Sequence, residues 1–259
     1  MSPYPALAGL RIGCVQYLNS KPLIADYRGP VLFDHPSSLA AALQRGELDA
    51  ALVPIFEALS GGRYVAADGV AIASDGPVYS VYLAYEGELK RVKSIALDPA
   101  SLTSAHLVQV LLREFHGIQP VCSASKDVNA ADARLLIGNQ AIEYRRTAPP
   151  GIRFLDLGEE WKRCTGLPFV YAVWLLRPEL KDLAEIACEF RQLKTRGMKL
   201  INQIAGVEKA ICPDLALRYL TEHIRFELGA REKHAIEEYR RLLCVHGFVP
   251  AGGEPLRYV

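Results

Sequence analysis

Apolar residues come in short runs near the start of the chain and at helical spacing near its end. Residues 10–15 form a compact apolar run of strand length. Asn19, Ser20 and Pro22 follow as a helix-start signal, with a polar cap and a proline in the first turn. A second strand is predicted at 31–33. Pro36, Ser37 and Ser38 then open a helix whose apolar positions are Leu39, Ala42 and Leu43, with Gly46 closing it. A third strand is predicted at 50–53, with a helix from Pro54. This β-α-β-α-β-α order predicts a mainly parallel sheet with helices on its faces.

Longer strands are predicted at 70–73 and 78–85. A second series starts with a strand at 94–97 and a helix at 103–115 carrying Leu107, Val110, Leu111 and Phe115 on one face. Strands at 120–122, 134–137 and 169–176 follow. The pattern then turns helical. Leu183, Ile186, Ala187, Phe190 and Leu193 mark one buried face, and Leu200, Ile201 and Ile204 continue it. Helices near 214–223 and 232–246 end the chain. Two βα series, each closing in a long strand, predict an α/β fold of two lobes: residues 1–84 with 175–259, and residues 85–174. Ligands in such folds sit at strand C-termini facing the cleft.

Charge narrows the ligand class. Lys plus Arg number 30 and Asp plus Glu 29, so the chain has no bulk attraction for nucleic acid or an acidic membrane. An anionic ligand must be held by local groups. Residues 1–10 lack the basic region and apolar run of a signal peptide, and no apolar stretch is long enough to span a bilayer. The six cysteines stand singly, without a Cys-x-x-Cys pair, which predicts reduced thiols and a cytoplasmic protein. No phosphate loop, dinucleotide fingerprint, His-Glu-x-x-His or Gly-x-Ser-x-Gly element is present, so neither nucleotide binding nor a metal site is supported.

Four strand-to-helix junctions carry the candidate chemistry. The segment 15–23 puts Tyr17, Asn19 and Ser20 beyond a strand, at a helix start where backbone N–H groups favour an anion. The segment 74–81 is a turn leading into a strand that carries Ser80. The segment 98–104 gathers Ser101, Thr103 and Ser104 at a helix start, and 136–141 breaks from strand to helix at Gly138–Asn139. Each reads equally as local capping or turn chemistry. Together they suit a ligand with two negative charges held by neutral donors.

The same junctions carry a resemblance. Tyr-Leu-Asn-x-x-Pro-Leu (17–23), Ser-Asp-Gly-Pro-Val-x-Ser-Val (74–81), Leu-Asp-x-x-Ser-x-Thr-Ser (97–104) and Leu-Leu-Ile-Gly-x-x-Ala (135–141) resemble the ordered motifs of chorismate dehydratases of the futalosine route to menaquinone. Asp156-Leu157-Gly158-x-x-Trp161 and Thr165–Val170 extend the likeness, which runs from about Arg11 to Trp174. The resemblance implies a two-lobed type II periplasmic-binding-protein-like fold with the ligand cleft between the lobes. It also implies loss of water from chorismate to give 3-(1-carboxyvinyloxy)benzoate, without metal or organic cofactor. Under it Asn19 is the catalytic residue. Tyr17, Ser80, Thr103, Ser104, Gly138 and Asn139 bind substrate, and the partner is a small molecule, with oligomeric state left open. Two departures stand out: the family often has Arg where Leu102 stands and Asp where Asn139 stands. The alternatives are a solute-binding protein of the same fold and the sibling enzyme that makes 1,4-dihydroxy-6-naphthoate.

Overall fold

A computed structural model describes residues 3–99, 101–124 and 131–259. The chain opens with β1 (Ile12–Val15), β2 (Val31–Asp34), α1 (Pro36–Gln44), β3 (Ala50–Pro54), α2 (Ile55–Leu59) and β4 (Val65–Ser74). It then builds β5 (Val81–Glu86), β6 (Ser94–Leu97), α3 (Leu102–His116), β7 (Val121–Ala124), β8 (Ala133–Ile137), α4 (Gly138–Thr147), β9 (Ile152–Asp156) and α5 (Leu157–Thr165). It finishes with β10 (Phe169–Leu176), α6 (Leu183–Lys199), α7 (Ile201–Gly206), α8 (Pro213–Arg218), α9 (Ala230–Val245) and β11 (Arg257–Tyr258).

These strands form two sheets, ordered β11-β4-β10-β3-β1-β2 and β7-β6-β8-β5-β9. In the first, β1 lies parallel to β2 and β3, as the opening β-α pattern predicts. In the second, β6 lies parallel to β7 and β8. The strands that follow each crossing run the other way: β10 is antiparallel to β3 and β4, and β5 to β8 and β9. The two crossings are therefore the short segments 75–80 and 166–168. The boundaries expected at 84/85 and 174/175 fall inside β5 and β10. Sheet membership depends on which neighbours a strand pairs with, and hydrophobic pattern carries no such information.

Burial explains the strand sequences. Every residue of β3 and β10 is buried, as continuous apolar runs require when both sheet faces are covered. On β10, Trp174 stacks on Phe190 of α6 with ring centres 4.1 Å apart. Trp161 of α5, Phe169 of β10 and Tyr239 of α9 meet edge to face, which ties the second unit to the C-terminal helix. Among the described residues no helix is long and apolar enough to cross a membrane.

Two local departures matter for the site. The helix expected after β1 is a 3-10 turn, Leu18–Leu23, whose N-cap is Tyr17 and makes no side-chain capping bond. Pro22 has no N–H to extend a regular ladder, and the Ser20 hydroxyl lies 2.5 Å from the Val15 carbonyl and 2.8 Å from that of Tyr17. Helix α6 packs against this turn at Gly197, where an added Cβ would collide with the Pro22 carbonyl. The strand expected from 78 begins instead at Val81, because Tyr79 takes a left-handed conformation, φ +66°.

A candidate active site between the two sheets

The ends of β1, β3 and β8, the start of β10, the crossing segment before β5 and the first turn of α3 converge on one cavity of about 70 Å³. Six of the seven expected residues line it: Tyr17, Asn19, Ser80, Thr103, Ser104 and Gly138. Asn139 does not. Its Oδ1 accepts from the backbone N–H of Leu18 at 3.1 Å, so its side chain joins the start of α4 to the 3-10 turn across the cleft. Here the amide that stands where the family often has a carboxylate acts as a contact between the two units.

Asn19 does not cap the turn that carries it. Its Nδ2 donates to the Tyr219 hydroxyl at 3.0 Å, and its Oδ1 is buried without a partner. A buried acceptor with nothing to accept from is uncommon in a folded chain and costs on the order of 1–3 kcal/mol, so an orphan on a cavity wall points at a ligand. Ser80 is fully buried, and its Oγ lies 2.8 Å from the same Tyr219 hydroxyl. The Ser80 carbonyl accepts from Gly138 N–H at 2.9 Å.

The crossing segment is held by Asp156, the N-cap of α5. Its carboxylate accepts from the N–H groups of Val78 (3.0 Å), Tyr79 (2.8 Å), Gly158 (3.1 Å) and Glu159 (3.1 Å). Arg145 adds a further bond at 3.2 Å. With its oxygens occupied, Asp156 fixes the left-handed Tyr79 and hence the direction of Ser80.

At the start of α3, Ser101 Oγ is buried and unpartnered on the cavity wall. Ser101 is missing from the ligands expected on sequence, although it stands in the same loop. The Thr103 hydroxyl is already used: it accepts from Phe56 N–H at 3.2 Å and lies 3.3 Å from the Tyr171 carbonyl. Only the backbone of Thr103 is left to face a ligand. Ser104 completes the group, and the first-turn amides of this 15-residue helix give it anion-binding character.

On the opposite wall Gly138 sits at φ +67°, and a Cβ there would come within 2.7 Å of the Tyr17 ring. Burial and the charge of Asp98 push the Tyr17 phenol up to about 12. The buried Tyr171 phenol is also raised, by burial first. Both remain protonated at neutral pH. No Asp, Glu, His, Lys or Arg is among the described residues that line the cavity. Nor do any three His, Cys, Asp or Glu side chains among the described residues group as a metal site would require.

Tyr219, whose hydroxyl bonds both Asn19 and Ser80, is the residue near the site that the sequence hides. It lies in a region of helical apolar spacing, where a tyrosine reads as core, and the π-helical turn at Tyr219–His223 has no sequence mark.

Two α/β units meeting at a cleft whose described lining is uncharged, with apolar side chains and a few hydroxyl and amide groups, define the class of periplasmic-binding-protein-like folds. A Candida albicans gene product described as having the generic periplasmic binding protein fold superposes with a TM-score of 0.64 at 12% identity, covering 94% of this chain and 91% of its own. Within that class the chain belongs to the menaquinone biosynthesis family, whose model matches residues 10–244. A chorismate dehydratase of Thermus thermophilus is 27% identical over 259 aligned residues, covering 90% of this chain and 94% of the relative. One from Campylobacter jejuni is 25% identical, covering 86% and 88%.

Proposed function

We propose that the protein is a chorismate dehydratase, which eliminates water from chorismate to give 3-(1-carboxyvinyloxy)benzoate for menaquinone biosynthesis. Family membership supports the reading, and one observation in the structure carries it: the described residues that line the inter-sheet cavity include no Asp, Glu, His, Lys or Arg, while two of them, Asn19 and Ser101, carry buried orphan oxygens, Oδ1 and Oγ.

Chorismate is a dianion. The proton to be lost sits on the ring carbon that bears the enolpyruvyl ether, and it is vinylogous to the ring carboxylate. Its removal spreads charge into that carboxylate, and departure of the neighbouring hydroxyl leaves an aromatic ring. Such a reaction asks for fixed donors where charge develops. In our assignment the start of α3 receives a carboxylate through Ser101, Ser104 and the first-turn N–H groups. Asn19 meets the departing hydroxyl, and Tyr17 with Gly138 closes the far wall. Ser80, with its hydroxyl tied to Tyr219, acts by holding that phenol.

The described residues of the cavity wall supply no base, since Tyr17 and Tyr171 stay protonated. The proton acceptor in this reading is the substrate's own enolpyruvyl carboxylate, which takes the proton while the hydroxyl leaves with its electron pair. Orientation then contributes much of the rate. No cofactor enters, and the site of action is the cytosol, whose reducing conditions suit the free thiols of this chain. The test is incubation with chorismate and mass detection of a product lighter by one water. Saturable binding of chorismate without that product would instead make the protein a solute-binding relative and sink the reading.

A further inference from the structure

We propose that Tyr219 is a positioning residue for the elimination: its hydroxyl ties one end of the Asn19 amide and so holds that side chain in place on the cavity wall. The inference rests on Asn19 acting at the departing oxygen.

The Asn19 amide has one end tied and one end free. Nδ2 lies 3.0 Å from the Tyr219 oxygen, and Oδ1 is buried and unpartnered on a residue that lines the cavity. The same phenol lies 2.8 Å from Ser80 Oγ. Asn19, Tyr219 and Ser80 thus form a short chain of hydrogen bonds that ends at the cavity. A phenol donates one hydrogen and can accept others, so the chain has two consistent directions. In the first, Asn19 donates to Tyr219 and Tyr219 to Ser80, and the amide oxygen faces the cavity to accept the substrate hydroxyl's hydrogen. In the second, Ser80 donates to Tyr219 and Tyr219 to the amide oxygen. The amide is then turned by half a revolution, and its N–H groups face the cavity as donors to an oxygen leaving with an electron pair. A hydroxyl at position 219 supports both directions.

The phenol is well placed to be a reference point. Tyr219 is 1% exposed, and burial raises its pKa, so it stays protonated. It stands on the π-helical turn, a distortion often found at functional sites. That turn is bolted to the strand and crossing segment that lead to Ser80. Arg225 and Ala73 exchange two backbone hydrogen bonds, at 2.8 and 2.9 Å. His223 donates from Nδ1 to the Pro77 carbonyl at 3.0 Å, and its ring stacks on Tyr79 at 5.2 Å. The phenol and Ser80 therefore move as one unit, and Asn19 is the member held by them.

The test is a double-mutant cycle of Y219F, N19A and the pair, with kcat and KM for chorismate and a melting curve for each. The phenylalanine ring keeps the packing and removes only the hydroxyl. Y219F should lower kcat about tenfold to a hundredfold, as misplaced catalytic groups do, with KM within about threefold of wild type. N19A should lower kcat about a hundredfold or more, and the double variant should be no slower than N19A alone. A purely structural Tyr219 gives a different result: kcat unchanged beside a lowered melting temperature, or the same fractional loss in both backgrounds, and either overturns the proposal. Wild-type kcat in N19A would overturn the Asn19 assignment and the positioning role with it. Absence of turnover in the wild type would overturn the dehydratase reading itself, and the positioning role with it. If Y219F does not fold, S80A probes the chain from its far end, where a changed kcat at constant KM is expected and an unchanged kcat refutes the proposal.

Discussion

Replacing Asn19 by Asp separates chemistry from local structure. The 3-10 turn is capped at Tyr17 without any side-chain bond, so the Asn19 side chain contributes nothing to capping and its loss should leave the turn intact. One carboxylate oxygen can accept from the Tyr219 hydroxyl, which stands 3.0 Å from the amide nitrogen it replaces. The other oxygen takes the place of Asn19 Oδ1, which is buried without a partner. Against a bound substrate carboxylate about 4 Å away, at an effective dielectric of about 20, the repulsion is about 4 kcal/mol, or roughly a thousandfold in affinity. Where the amide is turned with its N–H groups toward the substrate, loss of that donor costs a further factor of about a hundred to a thousand in rate. Together kcat/KM should fall by about 10⁵-fold to 10⁶-fold at neutral pH, with the melting temperature within a few degrees of wild type. The introduced carboxyl, pressed into a poorly hydrated wall, should titrate above the usual carboxylate range. Its protonated form is an O–H donor of nearly the amide's shape. Residual activity of N19D should therefore rise as pH falls through that raised value, while the wild type shows no matching rise. Mass-detected turnover across a pH series, with a melting curve at each pH, measures both. Turnover within tenfold of wild type at neutral pH, in a folded variant, would refute the donor role of Asn19.

Gly138→Ala places a Cβ 2.7 Å from the Tyr17 ring at a φ of +67°. Left-handed strain of about 1–2 kcal/mol lowers the melting temperature, and the displaced ring should raise KM for chorismate about tenfold. An unchanged KM would mean that this wall does not touch substrate. Burial pushes the Glu160 carboxyl up, but hydrogen bonds from Arg163 and His116 outweigh it and hold the group below its ordinary 4.5. A depressed carboxylate stabilises the fold above the unfolded value and loses that contribution as pH falls through the folded one. Melting curves between about pH 3 and 6 should thus fall less steeply on acidification for E160Q than for wild type, and parallel curves would count against the linkage. Cys188 and Cys212 are exposed, whereas Cys14 is buried and its thiol is pushed up to about 12 by desolvation. A thiol reagent should label the first two rapidly in the native protein and Cys14 only on unfolding. Fewer than six reactive thiols under denaturing, non-reducing conditions would contradict the free-cysteine state.

The parts of this protein that are local are legible in its sequence. Residues 94–97 and 169–176 read as strands and are strands, and at 169–176 an unbroken apolar run suits a covered sheet position. The helix predicted at 103–115 forms as Leu102–His116, since its apolar residues repeat at helical period. Tyr17, Asn19, Ser80, Thr103, Ser104 and Gly138 could be singled out because strand-to-helix junctions in an α/β fold point at the cleft. What each side chain does there was decided only when the two units met. Thr103 spends its hydroxyl on Phe56 and Tyr171, Asn139 turns to Leu18, and Ser101 is left bare on the wall. Whether β5 and β10 belong to the first or the second sheet depends on partners far along the chain. Tyr219 reaches Asn19 across 200 positions of sequence. Hydrophobic period encodes which face of an element is buried, but a hydrogen bond is a matter of tenths of an ångström between particular atoms, and only the packed tertiary structure sets those distances.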